Sequence, residues 1–164
     1  MDRKKIIRQM DEHPETWNVR RMTADNTLEG YKYLLGLKNR LPKELYASLL
    51  RDIWTMKTEG ISIELGLEMF NDVLAEDLMY DDELAAIDSF NDTITVYRGA
   101  STSEDVPRLS WTLRKSEATN SDFARGRLFV ANISKNKIIM YVAHDGCEEE
   151  VVAHVTENYE IIDE

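Results

Sequence analysis

The hydrophobic period of the chain changes once, near Asn91-Asp92, and that change restricts the fold more than any other feature. Up to about Phe90 the apolar residues recur at three- and four-residue spacing, as in helices with one buried stripe. Beyond it they alternate, as in strands with one buried face. Helices first and strands after imply an α+β fold rather than alternating α/β layers. The expected organisation is a helical N-terminal segment, 1–90, and a compact β-rich core, 91–164. A chain of 164 residues is long enough for one real core, so the two are expected to form one compact unit together.

Within the first segment, Ile6, Ile7 and Met10 share a face of a helix running from Asp2 to Glu12 and stopping before Pro14. Thr23 or Asp25 is placed to cap a second helix carrying Leu28, Tyr31, Leu34 and Leu35. Pro42 opens a third, with Leu45, Leu49, Ile53 and Met56 inward and Gly60 as its stop. Ser62 caps a fourth, expected to bury Leu65, Met69, Phe70, Val73, Leu74 and Leu78, and a short fifth runs from Asp82 to Ser89. Met and aromatic residues at this spacing are core. The segment offers packing or a partner surface, and no chemistry.

The second segment reads as strands Thr93–Tyr97, Arg108–Leu113, Arg127–Ile133, Ile138–Ala143, an acidic strand running to Val155, and Tyr159–Ile162, with a short helix opening at Ser116-Glu117 and ending at Gly126. Asn136-Lys137 suggests a hairpin between two of them.

Charge narrows the partners. With 31 acidic against 20 basic residues and a formal charge of -11, the chain is poorly suited to neutralising a phosphate backbone over a broad surface, so no direct nucleic-acid binding is expected. A basic protein target, or a small ligand met by a few local bases, fits better. Cys147 is the one cysteine, which excludes an internal disulfide, and Glu148 beside it opposes thiolate formation. No apolar run suits a signal peptide or a membrane span, so a cytoplasmic protein is expected. His13, His144 and His154 are scattered without metal-ligand spacing, and no metal is expected.

The chemistry-bearing feature is Glu148-Glu149-Glu150, running directly into Val151-Val152-Ala153. If the strand begins with the triplet, Glu148 and Glu150 share one face and Glu149 points away and is replaceable. Alone, the triplet reads as a strand entered from the polar turn Asp145-Gly146-Cys147. Upstream, however, Arg98 ends one strand and Ser110 and Thr112 lie on another. Breaking an N-glycosidic bond through an oxocarbenium-like state needs a carboxylate near the anomeric carbon. A leaving group that is already cationic, such as the nicotinamide of NAD, needs no second carboxyl group as acid. A pyrophosphate needs a fixed cation, which a planar guanidinium supplies, and a hydroxyl orients the carboxylate.

Val96-Tyr97-Arg98-Gly99, Ser110-Trp111-Thr112, Phe123-Ala124 and Glu148-Glu149-Glu150-Val151, in this order, resemble the Arg-Ser-Glu class of mono-ADP-ribosyltransferases known among bacterial toxins, phage proteins and eukaryotic ecto-enzymes. The resemblance covers Thr93 to Glu164 and implies a compact split β-sheet core and NAD as co-substrate, with no metal. It implies that Arg98 contacts NAD phosphate and ribose, that the Gly99 backbone faces the nicotinamide amide, and that Phe123 stacks on nicotinamide. Ser110 would position the catalytic carboxylate with Thr112 in support. Glu150 matches the catalytic glutamate, and Glu148 the first acid of a Glu-x-Glu signature associated with transfer to arginine. Asp145 stands where the family often has an aromatic residue, and the loop from Arg98 to Ser110 is short. Trp111 reads as packing. The implied activity is transfer of ADP-ribose to a cellular or host protein in the cytoplasm. An NAD glycohydrolase, or a catalytically silent protein-binding module, is the alternative.

Overall fold

A computed structural model of the chain describes residues 3–104, 106–120, 126–143, 149–156 and 158–163. It is α+β, and the chain divides into two compact units, Met1–Tyr80 and Asp81–Glu164.

The first unit holds α1 (Arg3–Glu12), a 3-10 turn at Pro14–Thr16, α2 (Trp17–Asp25), α3 (Thr27–Leu37), α4 (Lys43–Met56), α5 (Ile63–Phe70) and α6 (Ala75–Leu78). Tyr31, Leu34, Leu45, Leu50, Ile53 and Met69 form its core. Three elements differ from the sequence expectation. Trp17–Asp25 is helical, and the cap of α3 is Asn26, whose side chain accepts from the Glu29 N–H at 3.3 Å, not Thr23 or Asp25. Thr23 is instead a buried α2 residue packed against Gly30: a Cβ at Gly30 would fall 2.5 Å from the Thr23 backbone, so only glycine allows this approach. The expected fourth helix stops at Phe70, because Asp72 takes φ 56 and Lys38 Nζ donates to the Asn71 carbonyl at 2.7 Å, satisfying a helix-end acceptor. Leu74 is consequently exposed.

The second unit holds α7 (Asp81–Ser89), β1 (Thr93–Ser101), β2 (Ser110–Thr112), α8 (Lys115–Ala118), β3 (Gly126–Ser134), β4 (Ile138–Val142), β5 (Glu150–Ala153) and β6 (Tyr159–Asp163). Gly126 opens β3 at φ 91, a conformation that favours glycine. The strands make one antiparallel sheet in the order β4-β5-β2-β1-β3-β6. Its buried residues include Val96, Trp111, Leu128, Phe129, Met140 and Val151. Glu83, on α7, is fully buried, and its carboxylate accepts from the Ala143 N–H at 2.9 Å.

The hairpin expected at Asn136-Lys137 does not form: β3 is occupied on its two sides by β1 and β6, so the chain leaves through a 3-10 turn to β4 at the far edge. That short passage shapes the sheet. Laid flat, the four strand steps between β3 and β4 would separate them by roughly 19 Å. The connection from Ser134 to Ile138 reaches at most about 14 Å. The sheet must therefore curl, and its thinnest join is the natural place: β1 pairs β3 along its whole length but meets β2 at one register position, Tyr97↔Thr112. The six strands thus form one hydrogen-bonded order with its narrowest join between β1 and β2: β2 pairs β5 at all three of its residues and β1 at one. No helix among the described residues is long and apolar enough to cross a membrane.

Candidate active site

Four of the sequence-derived candidates lie at the narrow join. Thr112 faces Tyr97 of β1 on one side and Glu150 of β5 on the other, so Thr112 and Glu150 are direct cross-strand neighbours on one face. Ser110, two residues earlier on β2 and opposite Val152, lies on that same face and is diagonal to Glu150. Register therefore brings Thr112, more than Ser110, next to the Glu150 carboxyl.

Arg98 follows Tyr97 and leaves β1 on the opposite face, with Val96 and Phe129. Its guanidinium nevertheless reaches β2. Leu109 and Leu113 bond β5 through their backbones, so by alternation the Ser110 carbonyl points toward β1. Arg98 Nη1 donates to that carbonyl at 3.2 Å. The same alternation directs the Gly99 backbone groups toward β2, one step beyond the last register pair.

Beyond the join, Arg98 Nη2 donates to Glu104 Oε2 at 3.4 Å, Arg108 Nε stands 3.7 Å from Glu104 Oε1, and Arg127 donates to the Glu104 carbonyl. Burial pushes the Arg98 guanidinium below its ordinary pKa; Glu104 and, last among the causes, Glu150 push it back, while Arg108 lowers it further. Arginine stays charged at neutral pH in either case. One donor of this guanidinium, Nε, is buried without a partner among the described residues, as is Trp111 Nε1. Trp111 is otherwise core, as the sequence implied, with 2% exposure.

The acidic triplet differs from its expected form. β5 begins at Glu150, and Glu149 has φ 43, in the left-handed region that costs a non-glycine residue about 1–2 kcal/mol. A residue in that conformation interrupts the pleat, so the strand starts after Glu149. Glu148 itself lies outside the described residues, as do Phe123 and Asp145. Glu149 is also not an idle spacer: Arg114 Nε donates to its Oε2 at 2.6 Å, the Tyr141 hydroxyl donates to its Oε1 at 3.4 Å, and its carbonyl accepts from the Leu113 N–H at 3.2 Å.

Glu104, Arg114 and Tyr141 were not among the sequence candidates. Glu104 had a local signal, standing four residues before Arg108. The Arg114–Glu149 pair joins residues 35 apart, and no local pattern reveals it. Among the described residues no group of three His, Cys, Asp or Glu side chains is gathered to hold a metal ion. No protein-family model, curated protein or solved structure matches the chain.

Proposed function

We propose that this chain is an NAD-dependent mono-ADP-ribosyltransferase that modifies a protein target and releases nicotinamide, built on a β-sheet core of the ADP-ribosyltransferase type. The observation that carries the reading is the gathering of Arg98, Ser110, Thr112 and Glu150, from β1, β2 and β5, at the single-position join of the sheet. The curl forced by the short β3–β4 connection supports the split-sheet form of that fold.

These residues fit NAD in kind. Arg98 is mostly buried, cationic and retains a buried Nε donor without a partner, which suits a phosphate oxygen. Gly99 directs its backbone to the same gap, where an amide can be met. Glu150, half-buried beside the Thr112 hydroxyl, supplies the carboxylate that stabilises positive charge developing at the anomeric carbon. The nicotinamide–ribose bond breaks with its electron pair going to the pyridine nitrogen. The bond that replaces it forms to a target side chain, which loses a proton. Glu148 and Phe123 keep only their sequence-derived roles, as acceptor-side acid and stacking ring. With a charge of -11, a basic target protein is the complementary choice.

A second reading is favoured by two contacts. Glu104 and the Ser110 carbonyl engage Arg98 from within the chain, as expected of an arginine that only holds the join together in a silent, partner-binding protein. Incubation with NAD labelled on the adenylate part, in a lysate, separates the readings. Label on protein, abolished by Glu150→Gln, supports transfer. Free ADP-ribose alone identifies a glycohydrolase, and no turnover with an equally potent Glu150→Gln variant in cells sinks the enzyme reading.

A further inference from the structure

We infer that Arg114 is a positioning residue for Glu150: by gripping Glu149 it fixes the backbone at the entrance of β5 and so sets where the Glu150 carboxylate stands against Thr112. The catalytic consequence rests on the transferase reading above, while the positioning itself does not.

Arg114 is tied to both halves of the Thr112–Glu150 pair. Its backbone N–H donates to Thr112 Oγ1 at 3.0 Å, and its Nε donates to Glu149 Oε2 at 2.6 Å. Thr112 is the register partner of Glu150, and Glu149 is its chain neighbour. One residue, through its backbone N–H on one side and its guanidinium on the other, therefore couples the hydroxyl strand to the carboxylate strand just where β2 ends.

Glu149 needs such a hold. At φ 43 it occupies a conformation that a glutamate adopts only when its surroundings enforce it. Three contacts enforce it, from Arg114 after β2, from Tyr141 on β4 and from the Leu113 N–H to its carbonyl. They come from the strands on both sides of β5. The ion pair is partly exposed, with 46% and 33% of its two side chains open to solvent, and pairs of that kind add little to global stability. Its effect should accordingly appear in the placement of Glu150 rather than in the melting temperature.

The test uses Arg114→Gln in the full chain, with Glu149→Gln as an independent break of the same pair. Amide hydrogen exchange is read by NMR at Glu150 and Val152 and, for comparison, at Val130 and Ala131 of β3; NAD turnover and thermal midpoint are measured alongside. The expected result is exchange at Glu150 accelerated on the order of tenfold with β3 unchanged, and kcat lowered on the order of tenfold with KM for NAD nearly constant. Unchanged exchange at Glu150, or exchange that rises equally in β3, overturns the positioning role. If the wild type turns over no NAD while exchange at Glu150 still responds to Arg114→Gln, the positioning stands and the transferase reading falls.

Discussion

The two sides of β1 are unlike. Toward β3 every residue from Thr93 to Ser101 has a register partner, whereas toward β2 only Tyr97 has one. On the β3 side backbone groups are matched by backbone groups and the side chains pack: Phe129, opposite Arg98, is fully buried and meets Tyr159 edge-to-face with centroids 5.6 Å apart. On the β2 side a side chain replaces the ladder, as the Arg98 guanidinium takes the Ser110 carbonyl. A side chain bonded in this way holds a gap open where a continued ladder would close it. One strand thus carries a continuous ladder along one edge and the candidate site along the other.

The largest effect should come from the packed edge. Phe129→Ala removes a fully buried ring and is expected to cost about 3–5 kcal/mol of stability, read as a lowered midpoint in urea, while leaving turnover per folded molecule near wild type. A turnover loss as large as the stability loss would break the division between the two edges.

On the join side the ranking reverses. Glu150→Gln keeps the size of the side chain and removes its charge. Transfer should fall about 10²–10³-fold, a change of roughly 2.7–4 kcal/mol in the barrier, with the thermal midpoint nearly unmoved. An active Glu150→Gln variant would return the acidic triplet to a charged strand entrance.

How far such contrasts could be read from sequence depends on the range of the interaction involved. The α+β division at Asn91-Asp92, the strands around Val96, Val130 and Val151, the cap at Ser62 and the helix start at Pro42 all follow from local periodicity, local hydrogen bonding or the fixed backbone of proline. Arg98, Ser110, Thr112 and Glu150 were legible as residue types in a fixed order. Their gathering was not, because it depends on the register of β1, β2 and β5. Local periodicity misled at two places. It treated Glu148-Glu149-Glu150 as continuous strand, where Glu149 adopts φ 43, and it ran one helix past Asp72, where φ is 56. Both breaks occur at residues that long-range contacts hold or that end a helix, with no glycine to announce them. The failed hairpin at Asn136-Lys137 is of the same kind, since the strand pairing is decided by β1 and β6 rather than by the turn.

A smaller change at Arg98 sharpens the account of the gap. Arg98→Lys preserves the charge but loses the planar fork that serves the Ser110 carbonyl and Glu104 together. NAD affinity should weaken about tenfold, near 1.4 kcal/mol, when measured by titration of the NAD complex. Equal affinity would show that the join needs only a positive charge.

The smallest effect belongs to Tyr141, which is buried in the sheet with its ring against Phe90 and its hydroxyl on Glu149. At 3.4 Å that hydrogen bond is long, and Tyr141→Phe should cost about 0.5 kcal/mol at neutral pH. Burial first, and then the Glu149 charge, push the Tyr141 hydroxyl above its ordinary pKa. The unfolded chain then loses this proton at lower pH than the folded one, near pH 10. The stabilising contribution of the neutral hydroxyl is complete below that value and disappears as pH rises through the folded pKa. Tyr46, pushed up mainly by burial, adds the same trend in wild type and variant alike, so the difference between their stability curves isolates Tyr141. Urea midpoints between pH 9 and pH 11, roughly the window around the ordinary tyrosine value, should fall more steeply for wild type than for Tyr141→Phe. Parallel curves would mean that Glu149 is held by Arg114 and the Leu113 N–H alone, and that β4 takes no part in fixing the carboxylate side of the join.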